Sequence, residues 1–269
     1  MKVLVTGPAW VGDMVMAQSL FMCLQLQHPG VQIDVLVPDW CRALLDVMPQ
    51  VHTALPLGIG HGELGLRKRR ALGKTLFAAN YDQAIVLPNS FKSALIPWFA
   101  DIPLRTGWRG EKRGWLLNDC RDLDKAQYPL MVQRFAALAY PAGSRLPERL
   151  PYPALQPDMS GIATVRQRLG ITTDQPVLVL CPGAEFGPAK QWPAQHYARI
   201  ADYYTKTGWQ VWLLGSEKDS FAANLICQGV DQATRHQIHN LCGVTSLSEA
   251  VQLLALARAV VSNDSGLMH

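Results

Sequence analysis

Short runs of aliphatic and β-branched residues alternate with longer runs of helical period along this chain, and that alternation restricts the fold more than any other feature. Lys2–Thr6, Gln32–Val37, residues 51–56 and residues 82–87 read as buried strands, with helices at 14–27, 39–48, 69–79 and 91–100. Strands separated by helices pair in parallel, and the helices then cover both faces of the sheet. Between residues 146 and 157 four prolines (Pro147, Pro151, Pro153, Pro157) break any helical period and mark a linker. The pattern then restarts, with strands at Val177–Cys181, 209–214, 238–241 and Ala259–Ser262 and helices at 194–205, 219–228 and 247–257. The expectation is an α/β protein of two Rossmann-like domains, residues 1–155 and 156–269. Asn263 to His269 read as a turn entering a helix directly after a strand. The second domain is therefore expected to be incomplete, and the chain a fragment of a longer protein.

With 49% hydrophobic and 17% charged residues among 269, each half can bury a core, which excludes a disordered or fibrous protein. The six cysteines form no C-x-x-C or C-x-x-H spacing. Those with apolar neighbours, as in Met22-Cys23-Leu24, read as reduced core thiols of a cytoplasmic protein. The most apolar interior stretch, residues 93–100, contains Pro97 and is far short of the ~20 residues of a spanning helix. Charge is unevenly spread, with 17 Lys+Arg against 12 Asp+Glu up to residue 150 and 8 against 9 thereafter. Residues 67–113 concentrate ten basic residues against Asp82, Asp101 and Glu111, which suggests an anionic partner for the first half. Arg105, Arg109 and Arg113 recur every four residues among Gly107, Trp108 and Gly110; with Lys92 they are the candidates to contact that anion.

Open α/β sheets bind ligands at the carboxyl ends of their strands, so the turns there carry the functional information. The first, Gly7-Pro8-Ala9-Trp10-Val11-Gly12-Asp13, has the Gly-x-x-x-x-Gly frame of a phosphate loop, but Asp13 stands where that loop needs lysine. A carboxylate there repels phosphate. At a helix N-terminus it is kept ionised, suited either to accept a proton from a hydroxyl or merely to cap the helix. In the second half, Cys181 to Pro193 combines Gly183 and Gly187 with Lys190, just ahead of a helix begun by Pro193, a combination fit for a departing diphosphate. Gly215-Ser216 and Asn263-Asp264-Ser265-Gly266 follow two further strands. Three such turns on one sheet edge argue for a bound nucleotide.

Gly7 to Met14, Leu87-Pro88-Asn89-Ser90-Phe91-Lys92-Ser93, Arg105-Thr106-Gly107-Trp108-Arg109-Gly110, Cys181 to Lys190 and Asn263 to His269 together closely resemble the lipopolysaccharide heptosyltransferase family, glycosyltransferase family 9. The similarity runs from residue 1 to residue 269. It implies a GT-B fold, two Rossmann-like domains facing across a cleft, with an acceptor-binding first domain and a donor-binding second domain. It also implies an inverting glycosyltransferase that needs no metal or other cofactor. The transfer implied is of L-glycero-D-manno-heptose, from ADP-heptose to the first heptose of the lipopolysaccharide inner core. The acceptor would be an anionic glycolipid, reached by a cytoplasmic enzyme peripheral to the inner membrane, with no part for nucleic acid. By the same resemblance Asp13 matches the proposed base and Lys190 the lysine on the donor diphosphate. Asp264, Ser265, Gly266 and His269 match the donor-binding turn, while Gly183, Glu185, Gly215 and Ser216 lie in turns near the nucleotide. Glu185 and Phe186 stand where a related heptosyltransferase has a threonine pair, so hydrogen bonds inferred from those threonines do not transfer. Lys92, Arg105, Arg109 and Arg113 are the expected acceptor contacts.

Asp122-Leu123-Asp124 has the D-x-D spacing with which metal-dependent glycosyltransferases hold a diphosphate. Its charged setting, with Asp119, Arg121 and Lys125, reads instead as a solvated loop. The competing readings are another heptosyltransferase of the same pathway, a non-catalytic nucleotide-binding fragment and a nucleotide-dependent oxidoreductase. The last wants a G-x-G-x-x-G loop that neither glycine-rich turn supplies.

Overall fold

The computed structural model describes residues 1–60, 62–172, 174–184 and 188–269, and the chain divides into two compact units, Met1–Gln156 and Pro157–His269. The first unit is built on six parallel strands: β1 (Lys2–Thr6), β2 (Gln32–Val37), β3 (Thr53–Pro56), β4 (Gln83–Val86), β5 (Leu104–Trp108) and β6 (Asp119–Arg121). They lie in the order β3-β2-β1-β4-β5-β6, so the chain runs outward from β1 in one direction and then in the other. β1 is central, with Val5 opposite both Val35 and Ile85, and Val3, Leu4 and Val5 are fully buried. That is why β1 and β2 read as nearly continuous apolar runs.

The helices of this unit are α1 (Val11–Gln27), α2 (Arg42–Leu45), α3 (Leu66–Phe77), α4 (Leu95–Phe99) and α5 (Met131–Ala136). α1 starts at Val11, earlier than its apolar period indicates, which puts Asp13 in the first turn. The helices expected at 39–48 and 91–100 each split into a 3₁₀ turn (Asp39–Cys41, Phe91–Ala94) and a short α-helix. β5 and β6 have no strand-like alternation and escape sequence reading. They are held by backbone pairing to β4 and by Thr106, whose hydroxyl accepts from Gln83 and donates to Asp119, both at 2.9 Å. The proline-rich stretch is pinned to this unit: Ala154 exchanges hydrogen bonds with the buried Gln18 amide, and the Gln156 N–H donates to the Val47 carbonyl.

The second unit has four parallel strands, β7 (Val177–Cys181), β8 (Gln210–Leu213), β9 (Ile238–Asn240) and β10 (Ala259–Ser262), in the order β10-β7-β8-β9. Helices α6 (Ile162–Leu169), α7 (Ala194–Lys206), α8 (Ser220–Gln228) and α9 (Leu247–Leu256) accompany them. Leu178, Leu180, Val211 and Leu213 face Tyr197, Ala201 and Ile226 in one buried cluster; Val179, Trp212 and Leu253 form another. α9 opens with a reciprocal cap between Ser246 and Glu249. Among the described residues no helix is long and apolar enough to cross a membrane.

Candidate functional site

In the first unit the carboxyl ends of β1 to β5 converge on a cavity of about 540 Å³. Its wall includes Thr6, the Gly7–Trp10 turn, Asp13, Trp40, residues 87–90, Lys92, Ser93 and Trp108. Asp13 reaches this wall because α1 begins directly after the turn, and the helix dipole there favours an ionised carboxylate. The turn itself is held from outside: the Trp40 indole donates to the Ala9 carbonyl at 2.9 Å, as does the Cys41 thiol at 3.5 Å.

Lys92 lines the cavity, but so do Arg69, Lys125 and Arg134, which sequence reasoning did not select. Arg69 is buried and donates to the carbonyls of Leu64 and Glu63, and burial pulls its guanidinium below the ordinary value. Arg134 donates to Tyr128 and Pro129, while its own carbonyl accepts from the Trp108 indole. Arg69 belongs to the basic run of residues 67–113, whereas Lys125 and Arg134 give no local signal, since α5 and the loop before it come to the cavity only by folding. Thr6 adds a buried hydroxyl at the same wall that has no hydrogen-bond partner among the described residues.

The other three expected acceptor contacts, all arginines, do not line this wall. Arg113 is corrected outright: it is fully buried, and its guanidinium donates to the carbonyls of Trp108, Pro88 and Ser90, to Ser93 Oγ and to Asn89 Oδ1. Burial lowers its pKa to about 10. Arg113 therefore braces the wall residues Pro88, Asn89, Ser90, Ser93 and Trp108 from the interior and does not reach a ligand in the cavity. Arg105 donates to the carbonyls of Leu116 and Ile102, outside the wall. Arg109 is exposed and pairs with Asp122 at 2.5 Å, which also draws the Asp122 carboxyl below the usual carboxylate range. Asp124 caps a turn by accepting from the N–H groups of Ala126 and Gln127. The two acids of the D-x-D spacing thus serve separate local contacts, and among the described residues no His, Cys, Asp and Glu group is arranged to hold a metal.

In the second unit the turns after β7 and β10 meet. Lys190 ends the 3₁₀ turn Pro188–Lys190, and its Nζ lies 2.5 Å from Asp264 Oδ2, beyond β10. Asn263, absent from the sequence candidates, pins the two turns together. Its amide donates to the Pro182 carbonyl at 2.7 Å, and its oxygen accepts from the Tyr197 hydroxyl at 2.9 Å and the Trp192 N–H at 3.2 Å. Ser265 precedes the 3₁₀ turn Gly266–Met268; Ser265 and Gly266 are half-buried and His269 is exposed. Glu185 and Phe186 fall outside the described residues.

Gly183 and Gly215 have a reason to be glycine within the protein itself. A Cβ on either would stand 2.6 Å or 2.8 Å from the Asp219 carboxylate, which accepts from the N–H and hydroxyl of Ser216, both at 2.8 Å. Asp219 thus closes the β7 and β8 turns onto each other.

Residues 69–269 match the family model "Glycosyltransferase family 9 (heptosyltransferase)". The chain is 50% identical over its whole length to the lipopolysaccharide heptosyltransferase 2 of Escherichia coli K12, covering 79% of that protein. It is equally similar to the lipooligosaccharide heptosyltransferase 2 of Haemophilus ducreyi, with 50% identity and 79% of that protein covered. The solved E. coli ADP-heptose lps heptosyltransferase II superposes with a TM-score of 0.92 at 49% identity, over 100% of this chain and 81% of that one.

Proposed function

The chain belongs to glycosyltransferase family 9, the heptosyltransferases, and from that premise we propose that it moves L-glycero-D-manno-heptose from ADP-heptose to the first heptose of the lipopolysaccharide inner core, with Asp13 as base. Relatives at 46–50% identity are all heptosyltransferases 2, so a neighbouring step of the pathway and a non-catalytic role are not favoured.

The carrying observation is the Asp13 carboxylate on the wall of a cavity that also displays Lys92, Lys125 and Arg134. A sugar hydroxyl needs a base, and a phosphorylated or acidic acceptor needs cations around it. In the reaction an acceptor hydroxyl gives its proton to Asp13 as its oxygen bonds to the anomeric carbon of the donor heptose. The bond from that carbon to the phosphate oxygen breaks on the opposite face, with inversion, and ADP leaves. Lys190 and the backbone amides at Ser265 and Gly266 neutralise the diphosphate, while Asp264 accepts from donor hydroxyls. The enzyme works in the cytoplasm, in salt-sensitive contact with the inner membrane that carries its acceptor.

Purified protein, ADP-heptose and core acceptors truncated at successive sugars test this reading. Transfer to an acceptor ending in the first heptose is expected. Transfer to one lacking that heptose overturns it.

A further inference from the structure

Four aromatic side chains of the first unit form a continuous ridge that the cavity does not use. Phe91 and Trp115 have ring centroids 6.0 Å apart, Trp115 and Trp98 5.7 Å, and Trp98 and Phe99 4.9 Å. Trp115 is 61% exposed and Trp98 40%. The ridge continues onto α3, where Gly73 sits so close to Phe99 that a Cβ would be 2.5 Å from the Phe99 Cβ. One turn further on, Phe77 is 57% exposed. A cluster of large exposed aromatic rings is costly in water and marks an interaction surface.

Charge indicates what covers it. Arg70 and Lys74 are exposed on the same helix as Phe77, and Lys112 is exposed three residues before Trp115. The nearby acids are Asp101, just after α4, and Glu111, whose carboxylate is engaged by the Phe91 N–H at 2.8 Å. Indole rings flanked by lysine and arginine suit the boundary between acyl chains and anionic headgroups. The 3₁₀ turn Phe91–Ala94 links this surface to the cavity: Lys92 and Ser93 line the cavity while Phe91 lies against Trp115.

We propose that the Trp98–Trp115 ridge, with Phe77, Lys74 and Lys112, docks the protein on an anionic lipid bilayer. It takes from the proposed function only the idea of a lipid-borne acceptor. A sugar head in the cavity then has its lipid end beside the surface that enters the headgroup layer.

Flotation with phosphatidylglycerol/phosphatidylethanolamine vesicles, against phosphatidylcholine vesicles, tests the surface without any substrate. The protein is expected to float with the anionic vesicles, and brominated lipid to quench its tryptophan fluorescence. A Trp98→Ser/Trp115→Ser variant should partition about ten-fold less or weaker still. Lys74→Gln and Lys112→Gln should each cost about five-fold on anionic vesicles only. Phe221→Ser, at a 75% exposed position of the second unit, should change nothing. Transfer to a delipidated, water-soluble acceptor should be unaltered in all these variants. The proposal is overturned if the protein ignores anionic vesicles or if the double serine variant floats like the parent. It is equally overturned if removing the ridge only converts a dimer to a monomer. Ridge-dependent flotation in a protein that transfers no heptose to the soluble acceptor upholds the docking surface and removes the proposed function instead.

Discussion

Lys190 Nζ lies 2.5 Å from Asp264 Oδ2, joining two strand-end turns that are 74 residues apart in the chain. The hydrogen bond and charge of Lys190 hold the Asp264 carboxyl below the usual carboxylate range. Both side chains are about half exposed, so the pair adds little to stability. In the proposed donor site the pair holds a cation in place for an entering diphosphate to share or capture.

Lys190→Ala should therefore raise the donor KM and lower kcat together, while the thermal midpoint stays where it was. Steady-state kinetics with calorimetry separates this from a structural role, in which Tm would fall along with activity.

Asp13→Asn keeps the size of the side chain and removes its basicity. Turnover should drop by about 10²- to 10⁴-fold, the usual contribution of a general base. Donor affinity, read by titration calorimetry, should stay unchanged. Full turnover in this variant would exclude Asp13 as the base.

Arg113 and Arg109 look equivalent in sequence and should behave oppositely. Arg113→Met strands the carbonyls of Trp108 and Pro88 in the interior and should cost about 2–4 kcal/mol in urea unfolding. Arg109→Ala removes an exposed pair and should leave the unfolding midpoint alone.

Burial, and then the charge of His236, push the His239 imidazole below its ordinary value. The unfolded chain thus binds a proton that the folded chain refuses over an interval beginning near pH 6.5. Stability from this group is complete above that pH and is lost as pH falls through the lowered folded value. Thermal unfolding from pH 8 to 5 should show the decline, and His239→Asn should flatten it.

Because Asp122 is paired with Arg109 and Asp124 caps a turn, a chelator should leave the transfer rate unchanged. Strict dependence on added Mg²⁺ would return the D-x-D pair to consideration.

The apolar runs at Val3-Leu4-Val5 and Val177–Cys181 are legible as strands because a strand buried on both faces needs apolar residues throughout. β5 and β6 are not legible: their pairing is a property of the backbone, and Arg105, Thr106 and Gly107 carry no alternation. Asp13 could be placed at a helix start from local spacing, whereas Lys125 and Arg134 come to the cavity wall, and Asn263 to the Pro182 carbonyl, only when distant parts of the chain fold together.

Taken by itself, the order of residues determined two parallel α/β units and the turns at the strand ends, because apolar periodicity and glycine-rich breaks act over a few neighbouring residues. Tertiary structure alone decided which basic side chains present their charge to the cavity. Arg113 meets the carbonyls of Pro88 and Ser90, 25 and 23 residues upstream. A guanidinium surrounded by carbonyl oxygens is held inside the protein rather than offered to a ligand, because those acceptors replace the water that the buried charge gives up while the charge satisfies the carbonyls.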